Sequence, residues 1–246
     1  MKAYKIGKEL INSSWYQNAQ EASYKEKKKA PSRTEIINHL LSIYEGATRY
    51  LEIGVRNPDD NFAHISATEK YSVDPGVEFE ANPVDFPVTS DAFFDALNKS
   101  EVLSSDIRFD VIFIDGLHTA EQVDRDVSNA LKYTKENGFI VLHDCNPPTE
   151  WHARETFQFK QSPAGSRWNG TTWKAFLKWR HEQSLYSCCV DCDWGVGILS
   201  KAQDVGAPLD KINQNPFYEF AVLSNNRKDF LNLISFSELQ AKLQHD

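Results

Sequence analysis

The sequence lacks any long apolar segment. No uninterrupted apolar run approaches the roughly 20 residues that a bilayer-spanning helix needs, and the opening MKAYKIGKELINSSW has no apolar stretch of the kind found in secretory signals. Both absences argue against export and against membrane insertion. We therefore expect a cytoplasmic protein that has no membrane partner.

Positive charge is also scarce. The chain of 246 residues carries a formal net charge of −8, whereas proteins that bind nucleic-acid backbones depend on basic surface to displace counterions. The only basic run, Lys25 to Lys29, precedes Pro31 and is predicted to be the solvated end of a helix. The composition argues against a nucleic-acid partner and favours a small-molecule or glycan substrate, and it leaves the oligomeric state open.

Cysteine is rare, with four residues in the chain. Cys188, Cys189 and Cys192 include a CxxC spacing, but no second Cys/His pair lies at the distance expected of a zinc finger. The surrounding residues are typical of strands. Buried thiols in a reducing compartment are therefore favoured over a zinc or redox site.

Apolar residues, by contrast, are plentiful enough to bury the core of one large α/β domain, at 41% of the chain. Ser32 to Glu35 form a capping-box pattern, SRTE, and predict the start of a helix with an apolar face. Thr119 to Gln122 form a second such pattern and open another helix, which we expect Asn137-Gly138 to stop.

Buried strands alternate with these helices. Each strand is a short apolar run that is followed by an acid, a glycine or a turn. The predicted strands are Arg49–Gly54, Lys70–Gly76, Phe109–Gly116 and Gly138–Asp144. Nearly continuous apolar strands with intervening helices pair in parallel through right-handed crossovers, so the pattern predicts a doubly wound, Rossmann-like α/β sheet.

The last third of the chain has a different organisation. Trp151 to Asn169 is rich in aromatic residues, Ser, Pro and Gly without periodicity, and we expect a loop over the site. Thr172 to Gln183 predicts a helix. Leu185 to Ser200 predicts two strands that meet near Asp193-Trp194-Gly195, and this C-terminal antiparallel hairpin would complete the sheet.

Ligands of a doubly wound sheet bind at the carboxyl ends of its strands. Glu52 and Gly54 close the first predicted strand, and Asp74 closes the second, 22 positions after Glu52. This separation is near the roughly 20 residues expected between a nucleotide-binding turn and the acid that binds ribose hydroxyls. The turn GVRNPDDN has one glycine where a pyrophosphate cradle needs three, which favours S-adenosylmethionine over NAD.

We accordingly expect one domain over residues 1–246, in three parts. Residues 1–47 would form a helical extension and residues 48–146 the cofactor-binding part. Residues 147–246 would supply the substrate-side loop and the rest of the sheet.

Five segments carry a resemblance to a known family: EIGVRNPDDNF, YSVDPG, TSDAFF, FDVIFIDGLH with its helix, and IVLHDCNPP. They resemble the class I S-adenosylmethionine-dependent methyltransferases. Within these, the match is to small bacterial O-methyltransferases, some of them metal-dependent, that modify sugars and natural products. The resemblance spans roughly residues 35 to 200 and implies a seven-stranded, mostly parallel sheet and O-methylation of a hydroxyl.

The resemblance also implies roles for individual residues. Glu52 and Gly54 would line the methionine and ribose part of the cofactor, and Asp74 would bind the ribose. Ser90 and Asp91 would lie near the adenine, although an ordinary helix N-cap is an equally good interpretation of that pair.

Asp115 and Asp144 are the candidate metal ligands. They follow neighbouring strands about 4.8 Å apart, so both can approach one divalent cation, and Asp115 would also border the cofactor. In related metal-dependent enzymes an acid commonly precedes the last ligand, whereas here His143 does. A set of two aspartates and His143 is expected to suit ions such as Mn or Fe better than Mg.

His118 is the candidate general base, because it lies three residues beyond Asp115 and imidazole titrates near neutral pH. His152, on the aromatic loop, is the rival. Against both chemical roles, His118 could be an ordinary helix-start residue and His143 a buried, hydrogen-bonded histidine. Trp151, Trp168 and Trp173 are either acceptor-stacking groups or core anchors.

Two other functions fit parts of the sequence. Asp191-Cys192-Asp193 is a DxD triplet, which a metal-dependent glycosyltransferase could use to hold a nucleotide sugar. A non-catalytic S-adenosylmethionine-binding protein would keep the ribose acid without turnover. S-adenosylhomocysteine should stabilise either methyltransferase-like protein, whereas a nucleotide sugar should stabilise only the glycosyltransferase.

We predict micromolar binding of S-adenosylmethionine or its demethylated product, and no comparable binding of NAD(H). Asp74→Ala should weaken this binding by roughly 1 to 3 kcal/mol, because buried ribose hydroxyls would be left unpaired. Calorimetry with both cofactors measures the preference, and the reverse preference would end the methyltransferase hypothesis.

Overall fold

Seven strands form one sheet in the computed structural model, which describes residues 2–210, 212, 215 and 217–244. The order across the sheet is β2-β1-β3-β4-β6-β5-β7. In chain order the strands are β1 (Arg49–Ile53), β2 (Glu69–Val73), β3 (Phe109–Ile114), β4 (Thr134–Leu142), β5 (Tyr186–Val190), β6 (Val196–Ser200) and β7 (Leu233–Ile234).

The sheet is mostly parallel, as the sequence predicts. β1 pairs in parallel with β2 on one side and with β3 on the other, and β3 pairs in parallel with β4. β5 and β6 form an antiparallel hairpin whose β6 strand pairs antiparallel with β4, and β7 adds in parallel to β5. The Rossmann-like α/β class and the C-terminal antiparallel hairpin are both confirmed.

The described residues form eight α-helices. They are α1 (Lys2–Ile11), α2 (Ser14–Glu26), α3 (Arg33–Ser42), α4 (Ser90–Asn98), α5 (Ala120–Tyr133), α6 (Thr172–Arg180), α7 (Phe220–Phe230) and α8 (Phe236–Leu243). One core contains side chains of α4, α5, α6 and α7, and the other contains side chains of α3 and α8. No described helix has the length and apolar character needed to cross a bilayer.

The strands are buried on both faces because successive side chains alternate between the two cores. Ile112 and Ile114 of β3 enter the α5 side, whereas Val111 and Phe113 enter the α3 side. This explains the unbroken apolar runs in the sequence. The four cysteines are free and buried, as expected.

The two predicted capping boxes have different outcomes. Ser32 and Glu35 form both reciprocal hydrogen bonds at the start of α3, so the first box is confirmed. Thr119 is the N-cap of α5, but its side chain makes no capping hydrogen bond, and the second box is wrong. The backbone N–H of Ala120 instead donates to Thr171 Oγ1 at 2.7 Å, because the loop that precedes α6 passes this helix end.

The predicted stop at Asn137-Gly138 is also wrong. α5 ends at Tyr133 and β4 begins at Thr134, so both residues lie within the strand. The pairing of β4 with β3 shifts between Phe109 and Val111, and this irregularity accommodates the extra residues. Asn137 and Gly138 lie in this irregular stretch of β4 and therefore do not end α5.

Gly54 allows the ends of β1 and β3 to approach each other closely. Its φ is +86°, and a Cβ on it would lie 2.3 Å from the Cα of Gly116. The adjacent backbone N–H of Asp115 donates to Ile53 O at 2.8 Å. A side chain at position 54 would push Asp115 away from β1, so this glycine is required by the sheet itself.

Glu52 connects β1 to the start of α3 from inside the protein. Its Oε2 accepts hydrogen bonds from Tyr50 Oη at 2.7 Å and from Asn61 Nδ2 at 2.9 Å. Asn61 Oδ1 in turn accepts from Thr34 Oγ1 at 2.7 Å. Burial raises the pKa of Glu52 to about 7, even though both hydrogen bonds to the carboxylate lower it.

We expect Gly54→Ala to be far more destabilising than Gly46→Ala. Gly46 has a φ of +88° but no atom within 4 Å of an added Cβ. Its substitution by alanine should therefore lower the free energy of unfolding through backbone strain alone, by about 1 to 2 kcal/mol. Gly54→Ala adds a steric clash, which costs about 1 to 3 kcal/mol more. Urea denaturation measures both variants, and equal losses would contradict the close approach of β1 and β3.

A second prediction concerns pH. Because the folded protein holds Glu52 protonated up to about pH 7, its stability should fall as pH rises from the ordinary glutamate pKa to that value. The free energy of unfolding of the wild type should fall relative to Glu52→Gln by about 3 kcal/mol between pH 4 and pH 8.

Urea denaturation at the two pH values gives this difference directly. Glu69→Gln is the matched control, because Glu69 is on the neighbouring strand but half-exposed and paired with Arg49. It should show no such fall. A constant difference between wild type and Glu52→Gln would show that burial leaves the Glu52 carboxyl ionised.

Candidate active site

The carboxyl ends of β3 and β4 bring the predicted site residues together. Asp115 follows β3, and His143 and Asp144 follow β4, directly beside it in the sheet. Asp115 Oδ1 lies 3.1 Å from His143 Nδ1, and Asp144 Oδ2 lies 3.5 Å from the same nitrogen. The two aspartates therefore border one small volume, as their positions in the sequence predict.

His118 completes this cluster from the loop before α5. Its Nδ1 lies 2.8 Å from Trp168 O and 3.0 Å from Asp144 Oδ2, and its Nε2 lies 3.3 Å from Asp115 Oδ1. Because a carbonyl oxygen can only accept, the contact with Trp168 O puts a proton on Nδ1. The Trp168 ring stacks on the imidazole at 5.3 Å and fixes its plane.

Asp144 is held in an unusual backbone conformation. Its φ is +61°, in the left-handed region that residues other than glycine rarely adopt. Asn169 Nδ2 donates to its Oδ1 at 2.7 Å from the loop across the site. Strain of this kind persists only when surrounding contacts impose it, so the fold holds this carboxylate in place at an energetic cost.

Arg33 and Asp193 also belong to this cluster, although neither was predicted to be part of the methyltransferase site. Asp193 lies in the turn between β5 and β6, with Oδ1 3.4 Å from His143 Nε2. Its Oδ2 accepts from the backbone N–H of Arg33 at 2.8 Å, and the Arg33 Nε lies 3.9 Å from Asp115 Oδ2. The signals in the sequence were the predicted Asp193-Trp194-Gly195 turn and the DxD triplet, and both involve Asp193 but not Arg33.

The two acids of the DxD triplet have different partners. Asp191 pairs with Lys29 at 2.6 Å, whereas Asp193 faces His143 and Arg33. Both carboxylates are thus already engaged by cations of the chain, in separate directions. This arrangement gives no support to a nucleotide-sugar site at the triplet.

Charges within the cluster alternate. Burial lowers the pKa of His118, but the carboxylates of Asp144 and Asp115 outweigh it and raise that pKa to about 9. The same acids raise the pKa of His143 well above its ordinary value. Burial raises the pKa of Asp193, but its hydrogen bond to His143, the positive charges of His143 and Arg33, and the backbone hydrogen bond from Arg33 together outweigh this and lower the pKa to about 2. The imidazoles therefore neutralise the acids as long as no other cation does.

A metal ion has a suitable set of ligands here. Asp115, His118 and Asp144 offer ligand atoms that all lie within 4.8 Å of one another. His118 turns its other ring N–H to a backbone carbonyl, which is the usual arrangement of a metal-ligating histidine. The predicted set had His143 in place of His118, and the structure places both imidazoles against the two acids.

The predicted cofactor residues lie along the same edge of the sheet. Asp74 Oδ2 accepts from Arg56 N at 2.8 Å and its Oδ1 accepts from Gly76 N at 2.7 Å. These bonds orient the carboxylate and still leave each oxygen able to accept again. Glu52 and Gly54 close the adjacent β1.

Ser90 and Asp91 are not the N-cap of α4. Thr89 has that position, and its side chain accepts from Ala92 N. Ser90 Oγ accepts from Gln122 Nε2 at 3.1 Å, and Asp91 is exposed and paired with Arg125. Their predicted contact with adenine stays a prediction.

His152 does not have the free nitrogen that the rival base requires. It is completely buried, with its two ring nitrogens 2.8 Å from Ser23 Oγ and 2.9 Å from Thr149 Oγ1. Burial lowers its pKa to about 4. Its role is to connect α2 to the aromatic loop, and Trp173, which is 1% exposed, is a core anchor.

Comparison with known proteins adds one sequence match. Residues 58–145, a little over a third of the chain, match a family model described as a methyltransferase domain. No curated protein matches the sequence significantly.

Several solved structures are similar to this chain at low sequence identity. A putative O-methyltransferase from Klebsiella pneumoniae is 15% identical, over 81% of this chain and 94% of that one, with a TM-score of 0.44. An O-methyltransferase from Bacillus cereus in complex with S-adenosylhomocysteine is 17% identical, over 76% and 90%, with a TM-score of 0.39. MycE methyltransferase of the mycinamycin pathway, in complex with Mg and S-adenosylhomocysteine, is 13% identical, over 85% and 59%, with a TM-score of 0.43.

The family-model match lies on β2, β3, β4 and the segments between them, which carry Asp74, Asp115 and Asp144. Together with the Rossmann-like sheet, it supports a class I S-adenosylmethionine-dependent methyltransferase.

Proposed function

We propose that this protein transfers a methyl group from S-adenosylmethionine to a hydroxyl of a sugar or small natural product, with the help of a divalent metal. One observation carries the proposal. Within the segment that matches the methyltransferase domain, Asp74, Asp115 and Asp144 close three strands at the same edge of the sheet, where doubly wound folds bind their ligands.

The cofactor side of the proposal rests on Glu52, Gly54 and Asp74. The Asp74 carboxylate, fixed by two backbone N–H groups, would accept hydrogen bonds from the ribose hydroxyls. The Oε2 atom of Glu52 accepts hydrogen bonds from Tyr50 and Asn61. Its Oε1 atom would then bind the methionine part of the cofactor. Gly54 supports this arrangement by letting β1 and β3 meet without a side chain between them.

Asp115 and Asp144 would hold the metal with Nε2 of His118. A bound divalent cation would hold the acceptor hydroxyl and lower its pKa. Two carboxylates with one imidazole suit Mn or Fe at least as well as Mg. Cation binding would also replace the positive charge that the protonated imidazoles supply in its absence.

His118 retains its predicted role as general base only if its Nε2 is not a ligand. A hydroxyl must lose its proton as it attacks a sulfonium methyl, and a positioned base contributes about 100-fold to 10,000-fold. The same nitrogen cannot coordinate a cation and take this proton at once. The ligand and base roles of His118 are therefore exclusive alternatives.

The acceptor would lie against the aromatic loop. Trp168 stacks one face on His118 and has Phe157 at 5.8 Å, so an aromatic wall stands next to the candidate metal ligands. Aromatic faces of this kind bind the apolar faces of sugars and flat rings. This supports a sugar-like or aromatic acceptor rather than a flexible charged one.

We expect Mn²⁺ to bind the purified protein and Asp144→Asn to weaken that binding by at least about 100-fold, since second-shell changes alone cost 10- to 100-fold. Asp144 is the informative position because it has no proposed contact with the cofactor. Calorimetry with Mn²⁺, and separately with S-adenosylhomocysteine, measures the two affinities. Affinity for S-adenosylhomocysteine should persist in the variant.

Asp110→Asn is the matched control. Asp110 is a buried acid near the start of β3, at the opposite end of the strand from the site, and it pairs with Lys135. Its substitution should leave Mn²⁺ affinity unchanged. Equal Mn²⁺ affinity in wild type and Asp144→Asn, or methyl transfer that persists in excess chelator, would remove the metal from the proposal.

The same titration decides the role of His118. If His118 is a ligand, His118→Ala should lose Mn²⁺ affinity along with methyl transfer. If it is the base, the variant should keep Mn²⁺ affinity and lose only the rate. Near-normal turnover of His118→Ala would exclude both roles.

A further inference from the structure

Arg33 places a cation among the acids of the site while most of its hydrogen-bonding capacity is unused. Its side chain is 21% exposed, and its guanidinium lies 3.5 Å from Asp193 Oδ2 and 3.5 Å from His143 Nε2, both through Nη1. Both distances exceed the usual 2.7 to 3.2 Å range of strong hydrogen bonds. Arg33 is thus held by charge rather than by tight pairing.

Within the described part of the chain, the opposite edge of the guanidinium makes no hydrogen bond, and its nearest charged group is Asp115 Oδ2, 3.9 Å from Nε. Nε is buried and makes no hydrogen bond, and Nη2 donates to none of the residues that the structure describes. Nε–H and Nη2–H point in parallel and form the fork that binds a carboxylate through both oxygens. A buried polar atom without a partner is costly, so this edge of Arg33 is suited to a ligand that carries an anion.

The groups around Arg33 indicate which kind of anionic ligand it would bind. Its Nε lies 3.9 Å from Asp115 Oδ2, and the backbone of Asp115 is hydrogen-bonded to the end of β1. Burial lowers the pKa of Arg33, but the charges of Asp115, Asp193, Glu52 and Asp144 together raise it. A cation and carboxylates thus lie side by side, as an α-amino-acid zwitterion requires.

The three substituents of the cofactor's sulfonium also direct the amino-acid arm toward Arg33. Sulfur in S-adenosylmethionine carries the ribose carbon, the methyl group and the amino-acid arm. With the ribose at Asp74 and the methyl directed toward Asp115 and His118, the arm must leave along the ends of β1 and β3. Arg33, at the start of α3, lies next to the end of β3, with its Nε 3.9 Å from Asp115 Oδ2.

We infer that Arg33 binds the α-carboxylate of the cofactor's methionine arm through Nε and Nη2, while Glu52 and Asp115 face its α-ammonium group. This inference rests on the proposed function, since it assigns a residue to the same cofactor. Arg33 is the specificity-determining residue that distinguishes a cofactor with an intact amino-acid arm from one that has lost its carboxylate.

Two ligands that differ only in this group test the inference. The wild type should bind S-adenosylmethionine about 10- to 100-fold more tightly than decarboxylated S-adenosylmethionine, as a charge-assisted bidentate pair implies. Arg33→Gln should lose affinity for S-adenosylmethionine by a similar factor and keep its affinity for the decarboxylated ligand. Calorimetry with each ligand gives these ratios without any methyl acceptor.

Arg33→Lys distinguishes bidentate binding of the carboxylate from simple charge balance. Lysine keeps the positive charge but cannot bind both oxygens of the carboxylate side by side. It should recover only part of the preference for the carboxylate. Arg49→Gln is the control, since Arg49 is at the far end of β1 and paired with Glu69. It should keep the full preference.

The outcomes are distinct. Equal losses for the two ligands in Arg33→Gln, or full recovery in Arg33→Lys, would overturn the inference and leave Arg33 as a charge-balancing residue. Failure of the wild type to bind either ligand would instead overturn the proposed function. Circular dichroism of each variant establishes that it is folded before its affinities are compared.

Discussion

Repulsion among three carboxylates that are buried or only slightly exposed is the constraint on which the site depends. Asp115, Asp144 and Asp193 come from three different connections of the sheet and converge on His143. Like charges this close are tolerated in a poorly solvated site only when cations lie among them. His118, His143 and Arg33 supply that charge, and the helix starts and loops around the site are arranged to deliver them.

The loop between β4 and α6 is built to hold His118. Thr171 N donates to His118 O at 2.8 Å, and a Cβ on Gly170, whose φ is +60°, would lie 2.0 Å from that oxygen. Asn169 bonds Asp144 from the same loop. One short segment therefore fixes an imidazole and a carboxylate together, which explains why it has no secondary structure of its own.

Where sequence expectations were wrong, a tertiary contact had replaced a local preference. Thr119 starts α5 without a side-chain cap because Thr171 supplies the oxygen. Asn137 and Gly138 do not end α5 because β4 has already begun at Thr134, which pairs with Phe109 of β3. His152 was the rival base because it lies on the aromatic loop, but each of its ring nitrogens contacts a hydroxyl group. Apart from Thr149, which is three residues from His152, these partners are far away in the chain and leave no local trace.

The sequence by itself determined the sheet and part of the site. Apolar runs that end in acids fixed the strands, and adjacency of parallel strand ends then placed Asp115 beside His143 and Asp144. Only the tertiary structure decided that Arg33 and Asp193 join them. The turn of the β5–β6 hairpin has three successive residues with positive φ and hydrogen-bonds to Cys145 and Asn146, which folds it back onto the end of β4. Periodicity encodes which face of an element is buried, but the path of a turn depends on contacts with distant backbone, and so these two residues could not be predicted.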